Sequence, residues 1–121
     1  MRYFSIYRPD PRTAGGPPDP RHMEKMGRLI DESMKAGTLV ATGALLPLAQ
    51  GGARVKKEAG SITVVDGPFT ESKELVAGWA ILEGRSRDHA IELVRQFLDV
   101  ADDGECELHQ IMDPGGPPAA R

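Results

Sequence analysis

From Leu75 to Leu82 the chain reads Leu-Val-Ala-Gly-Trp-Ala-Ile-Leu, without one polar side chain. Its length and its branched and aromatic content mark a strand, continued to Glu83. Side chains alternate along a strand, so Val76, Gly78, Ala80 and Leu82 share one face and Leu75, Ala77, Trp79 and Ile81 the other. Neither face is polar. An antiparallel sheet with one wet face shows regular alternation of apolar and polar residues, and this strand does not. Thr38 to Leu46 has the same character. Both faces of the sheet therefore require a cover.

The other segments set how much cover one chain supplies. Residues 2 to 7 alternate as a first strand, with Tyr3, Ser5 and Tyr7 opposed to Phe4 and Ile6. Arg8 to Pro20 holds five prolines and two glycines, which predicts an extended loop. Asp19-Pro20 then starts a helix, with Asp as N-cap and Pro at the first helical position. Met23, Met26, Ile30 and Met34 form its apolar stripe, and Gly37 stops it. After the second strand come a short exposed strand over Ala53 to Lys57, a turn at Glu58-Ala59-Gly60 and a strand over Ser61 to Val65. Ser86 caps a second helix, lined by Ile91, Val94, Leu98 and Ala101. Glu105 to Met112 forms the last strand, and 113–121 is expected to be a disordered tail.

This order predicts one α+β domain over residues 1–112: a ferredoxin-like split βαβ layout with an extra hairpin strand and both helices on one sheet face. At 121 residues the chain has one modest core and no third layer. A second copy is the simplest cover for the other apolar face, so a homodimer is expected.

Charge and cysteine usage narrow the function classes. The net charge of −3, with both signs interspersed, gives no basic stripe for nucleic acid and no membrane-proximal cluster. No apolar run is long enough to span a bilayer, and the N-terminus reads as a strand rather than a signal peptide. A single cysteine, Cys106, forms no internal disulfide. These features together predict a cytoplasmic protein.

One segment carries a family resemblance. Asp66-Gly67-Pro68-Phe69-Thr70-Glu71-Ser72-Lys73-Glu74 resembles the signature Asp-Gly-Pro-Phe-Ala-Glu-Thr-Lys-Glu of the DGPF, or YCII-related, family. Lys35-Ala36-Gly37, Gly52-Ala53-Arg54-Val55 and Ala77-Gly78-Trp79 resemble further family segments in the same order, from about Tyr3 to about Met112. The resemblance implies a dimeric α+β barrel, in which two ferredoxin-like sheets pack face to face. It implies a family broadly uncharacterised in function, some of whose members lie beside or are fused to sigma factors. In the YCII branch a histidine near the start of the first helix is held to be functional. Here Pro20-Arg21-His22 matches that site loosely, and Asp31 and Asp66 both remain as its acidic partner.

Each candidate residue has a structural and a chemical reading. Asp66-Gly67-Pro68-Phe69 makes a turn with an aromatic anchor. Alternatively, Asp66, Glu71 and Lys73 rim a cleft and hold a polar ligand or an acid–base pair. His22 is either an exposed histidine or a general base, its neutral form favoured by the helix's positive end. Phe69, Glu71, Lys73, Trp79 and Arg54 are the ligand-contact candidates, and His22 and Asp66 the catalytic ones. Trp79 is equally a dimer-core residue. His89 and His109 read as surface, and Cys106 as buried and inert. The three histidines lack metal-ligand spacing, and Gly51-Gly52 precedes no helix, so no metal, cofactor or P-loop is expected.

Two function classes follow. The first is a small-molecule-binding dimer that acts as a cofactor-free acid–base enzyme of isomerase, lyase or hydrolase type. The second is a non-enzymatic dimeric binding or regulatory module, associated through the family resemblance with sigma-factor transcription control.

Overall fold

The computed structural model describes residues 1–13, 19–65, 67 and 76–113. In chain order the elements are β1 (Arg2–Pro9), α1 (Pro20–Ala36), β2 (Leu39–Leu45), β3 (Arg54–Glu58), β4 (Ser61–Val65), β5 (Ala77–Glu83), α2 (Arg87–Val100) and β6 (Gly104–Gln110). Four strands form an antiparallel sheet in the order β2-β5-β1-β6. That is the strand order of the split βαβ layout. The expected tail falls at 114–121, outside the described residues, apart from Asp113.

Local chemistry sets the helix ends. Asp19 adopts an extended conformation and its carboxylate accepts from the Arg21 N–H at 2.9 Å. Gly37 closes α1 at φ 77°, its N–H donating to the carbonyl oxygens of Met34 and Ser33. The Ser86 hydroxyl accepts from the His89 N–H at the start of α2. β1 runs two residues past its predicted end, into the Pro-rich segment. Pro9 is tolerated there because pairing with β5 ends at Tyr7, so only β6 flanks it. The Asp10 N–H then donates to the Asp103 carbonyl oxygen.

Both helices lie on the sheet face that carries Tyr3, Ser5 and Leu82. The core is small: Tyr3, Leu39, Leu82 and Ala90 are buried, with Ile30, Leu93, Val94 and Leu108 packed around them. No residue of α1 is fully buried. Its inward side runs through Met26, Leu29, Ile30 and Ser33, while Met23 and Met34 are exposed. The methionine stripe therefore describes the helix only in part. α1 rides above the sheet and is turned so that Ser33 replaces Met34 on the inner side.

The hairpin departs from expectation. β3 and β4 pair with each other and form a separate ladder, rather than adding a strand to the main sheet. Val55, Lys57, Ile62 and Val64 share one hairpin face, and the three apolar members are 65%, 70% and 58% exposed in the order Val55, Ile62, Val64. Its two-residue turn places Ala59 at φ 48° and Gly60 at φ 85°. Positive φ at both positions is the type I′ turn, which favours Asn-Gly and strains an alanine. Ala59→Asn should therefore stabilise the hairpin by about 0.5–1 kcal/mol. Slower amide exchange across 54–65, with the main sheet unchanged, would show it; unchanged exchange would refute the strain.

Candidate functional site

The lift of α1 off the sheet leaves a partly open cavity of about 240 Å³ between α1, α2 and the sheet. Met26 and Ile30 of α1 and Val94 and Phe97 of α2 form its walls, and Leu39 and Leu82 belong to its floor. Its lining side chains are mostly apolar, so an apolar occupant would remove apolar surface from water.

Three of the cavity's hydroxyl groups are already bonded. Tyr7 Oη donates to the Asp102 carbonyl oxygen at 2.7 Å, and its ring meets Phe97 edge-on at 5.2 Å. Burial, then the nearby Asp102, Cys106 and Asp103, push the Tyr7 phenol above its usual pKa, so it stays neutral at physiological pH. Thr38 Oγ1 donates to the Ser33 carbonyl oxygen at 3.2 Å, and Thr42 Oγ1 to that of Trp79 at 2.8 Å.

The opposite sheet face is apolar at its centre. Phe4 pairs with Ile81, and Ile6 with Trp79. The Trp79 indole stacks on Phe4 with ring centroids 6.0 Å apart and planes 10° from parallel. Gly43, which pairs with Trp79, leaves room for the indole: a β-carbon there would lie 2.7 Å from Trp79 Nε1. Charged pairs rim this patch. The N-terminal amine and Arg2 meet Glu83, and Arg8 and His109 meet Glu107. The His109 bond, then Arg8, holds the Glu107 carboxyl below the usual range, and the N-terminal amine does the same for Glu83.

The predicted site residues fall in different places. Trp79 borders the cavity by its place in β5, but its indole stacks on Phe4 on the opposite sheet face. His22 shares the α1 stripe with Met26 and Ile30, one turn nearer the N-terminus, but does not border the cavity. Arg54 stands on the hairpin, also away from it. Asp66, Phe69, Glu71 and Lys73 lie outside the described residues. Gly67, the described member of that motif, has φ 122°, a backbone conformation that favours glycine.

Sequence reasoning missed Tyr7, Ser33, Thr38 and Thr42 as cavity residues. Isolated hydroxyl residues inside strands and helices carry no motif. Contrary to the expected surface position, His89 is half-buried and its Nδ1 accepts the Arg85 N–H at 2.9 Å, bracing the turn into α2. Cys106 is half-buried, and burial pushes its thiol above the usual pKa while the Ser5 hydroxyl acts weakly in the other direction. Its thiolate therefore appears at higher pH than in the unfolded chain. A disulfide reagent should modify native protein more slowly than urea-unfolded protein at pH 8, with the rate rising at higher pH; equal rates would contradict this.

Among the described residues, no group of three or more His, Cys, Asp or Glu is placed to hold a metal, and no helix is long and apolar enough to cross a membrane. A family model for the YCII-related domain matches residues 1–113. An uncharacterized protein of Rhizobium meliloti (strain 1021) is 31% identical over 79 residues, covering 65% of this chain and 63% of that protein. The match thus spans somewhat under two thirds of the relative's length.

Proposed function

This chain belongs to the YCII-related domain family, and we propose that it is a cytoplasmic, small-molecule-binding homodimer whose ligand sits between α1 and the sheet. The observation that carries the reading is the apolar cavity of about 240 Å³ above the sheet. Ligand sites are typically concave and apolar with a few fixed polar groups, and this cavity has that make-up.

The dimer rests on the opposite face. Phe4, Ile6, Trp79 and Ile81 form an apolar centre bordered by charged pairs, the usual layout of a protein interface. Packing two such faces together gives the dimeric α+β barrel, and the exposed apolar side of the hairpin offers further surface to the partner. In the enzymatic form of this reading His22 is the base or orienting group, with Asp66 as its acid partner. Phe69, Glu71 and Lys73 are then the ligand contacts, while Arg54 stands on the hairpin and the Trp79 indole on the opposite sheet face.

A specific observation favours the non-enzymatic binding or regulatory reading. Among the described residues, Tyr7 is the one ionisable group other than a thiol facing the helix side at the cavity, and its phenol is held neutral. Native mass spectrometry of the full chain tests the proposal. A dimer that retains a small molecule supports it, and a folded, bare monomer overturns it. Incubation with the recovered molecule then separates the two forms. Conversion that is lost in His22→Ala identifies an enzyme; an unaltered molecule, bound equally well by His22→Ala, identifies a binding module.

A further inference from the structure

We infer that the cavity takes a neutral, largely apolar molecule of about ten non-hydrogen atoms that presents a hydrogen-bond donor. This deepens the binding reading above and rests on it.

The size follows from volume. A cavity of about 150 Å³ lined by Leu, Ile and Phe accepts benzene and otherwise stays dry. Scaled from benzene's six carbons, 240 Å³ takes about ten heavy atoms, the size of a bicyclic aromatic ring or a short branched chain.

The charge follows from the walls. Met26, Leu29 and Ile30 face Leu93, Val94 and Phe97 across the cavity, and none of its described lining residues is Asp, Glu, Lys, Arg or His. A carboxylate or ammonium group placed there would lose its hydration and gain no counter-charge. A neutral ligand loses nothing of that kind.

The donor follows from the hydroxyl bonding. Tyr7, Thr38 and Thr42 each spend their one proton on a backbone carbonyl oxygen. A hydroxyl that has donated its proton keeps free lone pairs and can only accept. The ligand group that complements these three oxygens is an N–H or O–H. A ligand carbonyl would find these three protons taken and would have to turn to the Ser33 hydroxyl or the Gln96 amide, which also border the cavity.

Three probes test the inference on the full-length protein with 13C-methyl methionine. Met26 borders the cavity, whereas Met1, Met23, Met34 and Met112 are exposed and act as internal controls. Indole is neutral, of the right size, and carries one N–H. The related 1-methylindole lacks the donor, and benzoate is of similar size but charged. Indole should shift the Met26 methyl saturably and leave the controls still. 1-Methylindole should bind about fivefold more weakly, the value of one hydrogen bond, and benzoate at least about tenfold more weakly. Ser33→Phe, which fills the cavity from α1, should abolish the indole response. If that variant loses its fold, the wild-type titrations decide alone. Benzoate binding as tightly as indole at Met26 would overturn the ligand class and leave the binding site standing. Equal affinity for 1-methylindole would overturn the donor requirement. If no probe moves Met26, the cavity is not a ligand site and the inference falls together with the reading it rests on.

Discussion

Leu82→Ala is expected to lower the unfolding free energy by about 3 kcal/mol, within the range for removing a buried leucine. Leu82 is buried and packed with Tyr3, Leu39 and Ala90. It also borders the cavity, so truncation joins a new void to an existing one. α1 has no fully buried residue to hold it close, and the sheet below is fixed by ladder bonds on both sides of β5. Neither layer is free to refill the space. A domain of this length should lose roughly 12 °C in melting temperature, at about 4 °C per kcal/mol. Met34→Ala, at an exposed position, should change stability by less than about 0.5 kcal/mol. A Leu82→Ala loss no larger than that of Met34→Ala would show that the core lies elsewhere.

The second large effect concerns Gly43. Any side chain there must share space with the Trp79 indole, because a β-carbon would lie 2.7 Å from Nε1 and 2.9 Å from Cε2 and Cζ2. Gly43→Val should therefore push the indole away from the sheet, break its stack on Phe4, and cost about 2 kcal/mol through overpacking. The same variant reads out the proposed interface. If the Trp79 face is where two copies meet, the measured mass should fall from dimer to monomer as well. A stable dimer with an unchanged melting temperature would contradict both the packing and the interface. Gly27→Ala is the control, since a β-carbon in the middle of α1 meets nothing within 4 Å. It should stabilise the protein by about 0.5–1 kcal/mol through helix propensity alone. A loss of stability on Gly27→Ala would mean that α1 packs more closely than its exposed side implies.

The two glycines show where the sequence was readable. Gly37 announces a helix end because it follows a periodic segment with Lys35 in the last turn, and the αL conformation it adopts is a local property. Gly43 announces nothing. Its partner lies 36 residues further on, and only strand register brings the two together. The candidate site divides in the same way. His22 was legible from its place after Asp19-Pro20, and Trp79 from its two-sided strand. The cavity walls were not legible, because Met26, Leu82, Val94 and Phe97 are ordinary apolar residues on different elements. The Asp66 to Glu74 motif was the clearest signal of family, and its Gly67 has the positive φ expected of it.

By itself the sequence determined the element order, the helix caps, the Ala59-Gly60 turn and the two apolar faces of β5. Each depends on residues within about one turn or one strand of each other, where backbone sterics and side-chain periodicity act directly. Tertiary structure alone decided that α1 stands off the sheet, that the hairpin forms its own ladder, and that three cavity hydroxyls are bonded to carbonyl oxygens. These outcomes depend on how distant side chains fill a shared volume, and that is a sum over the whole packed chain rather than a property of any one segment.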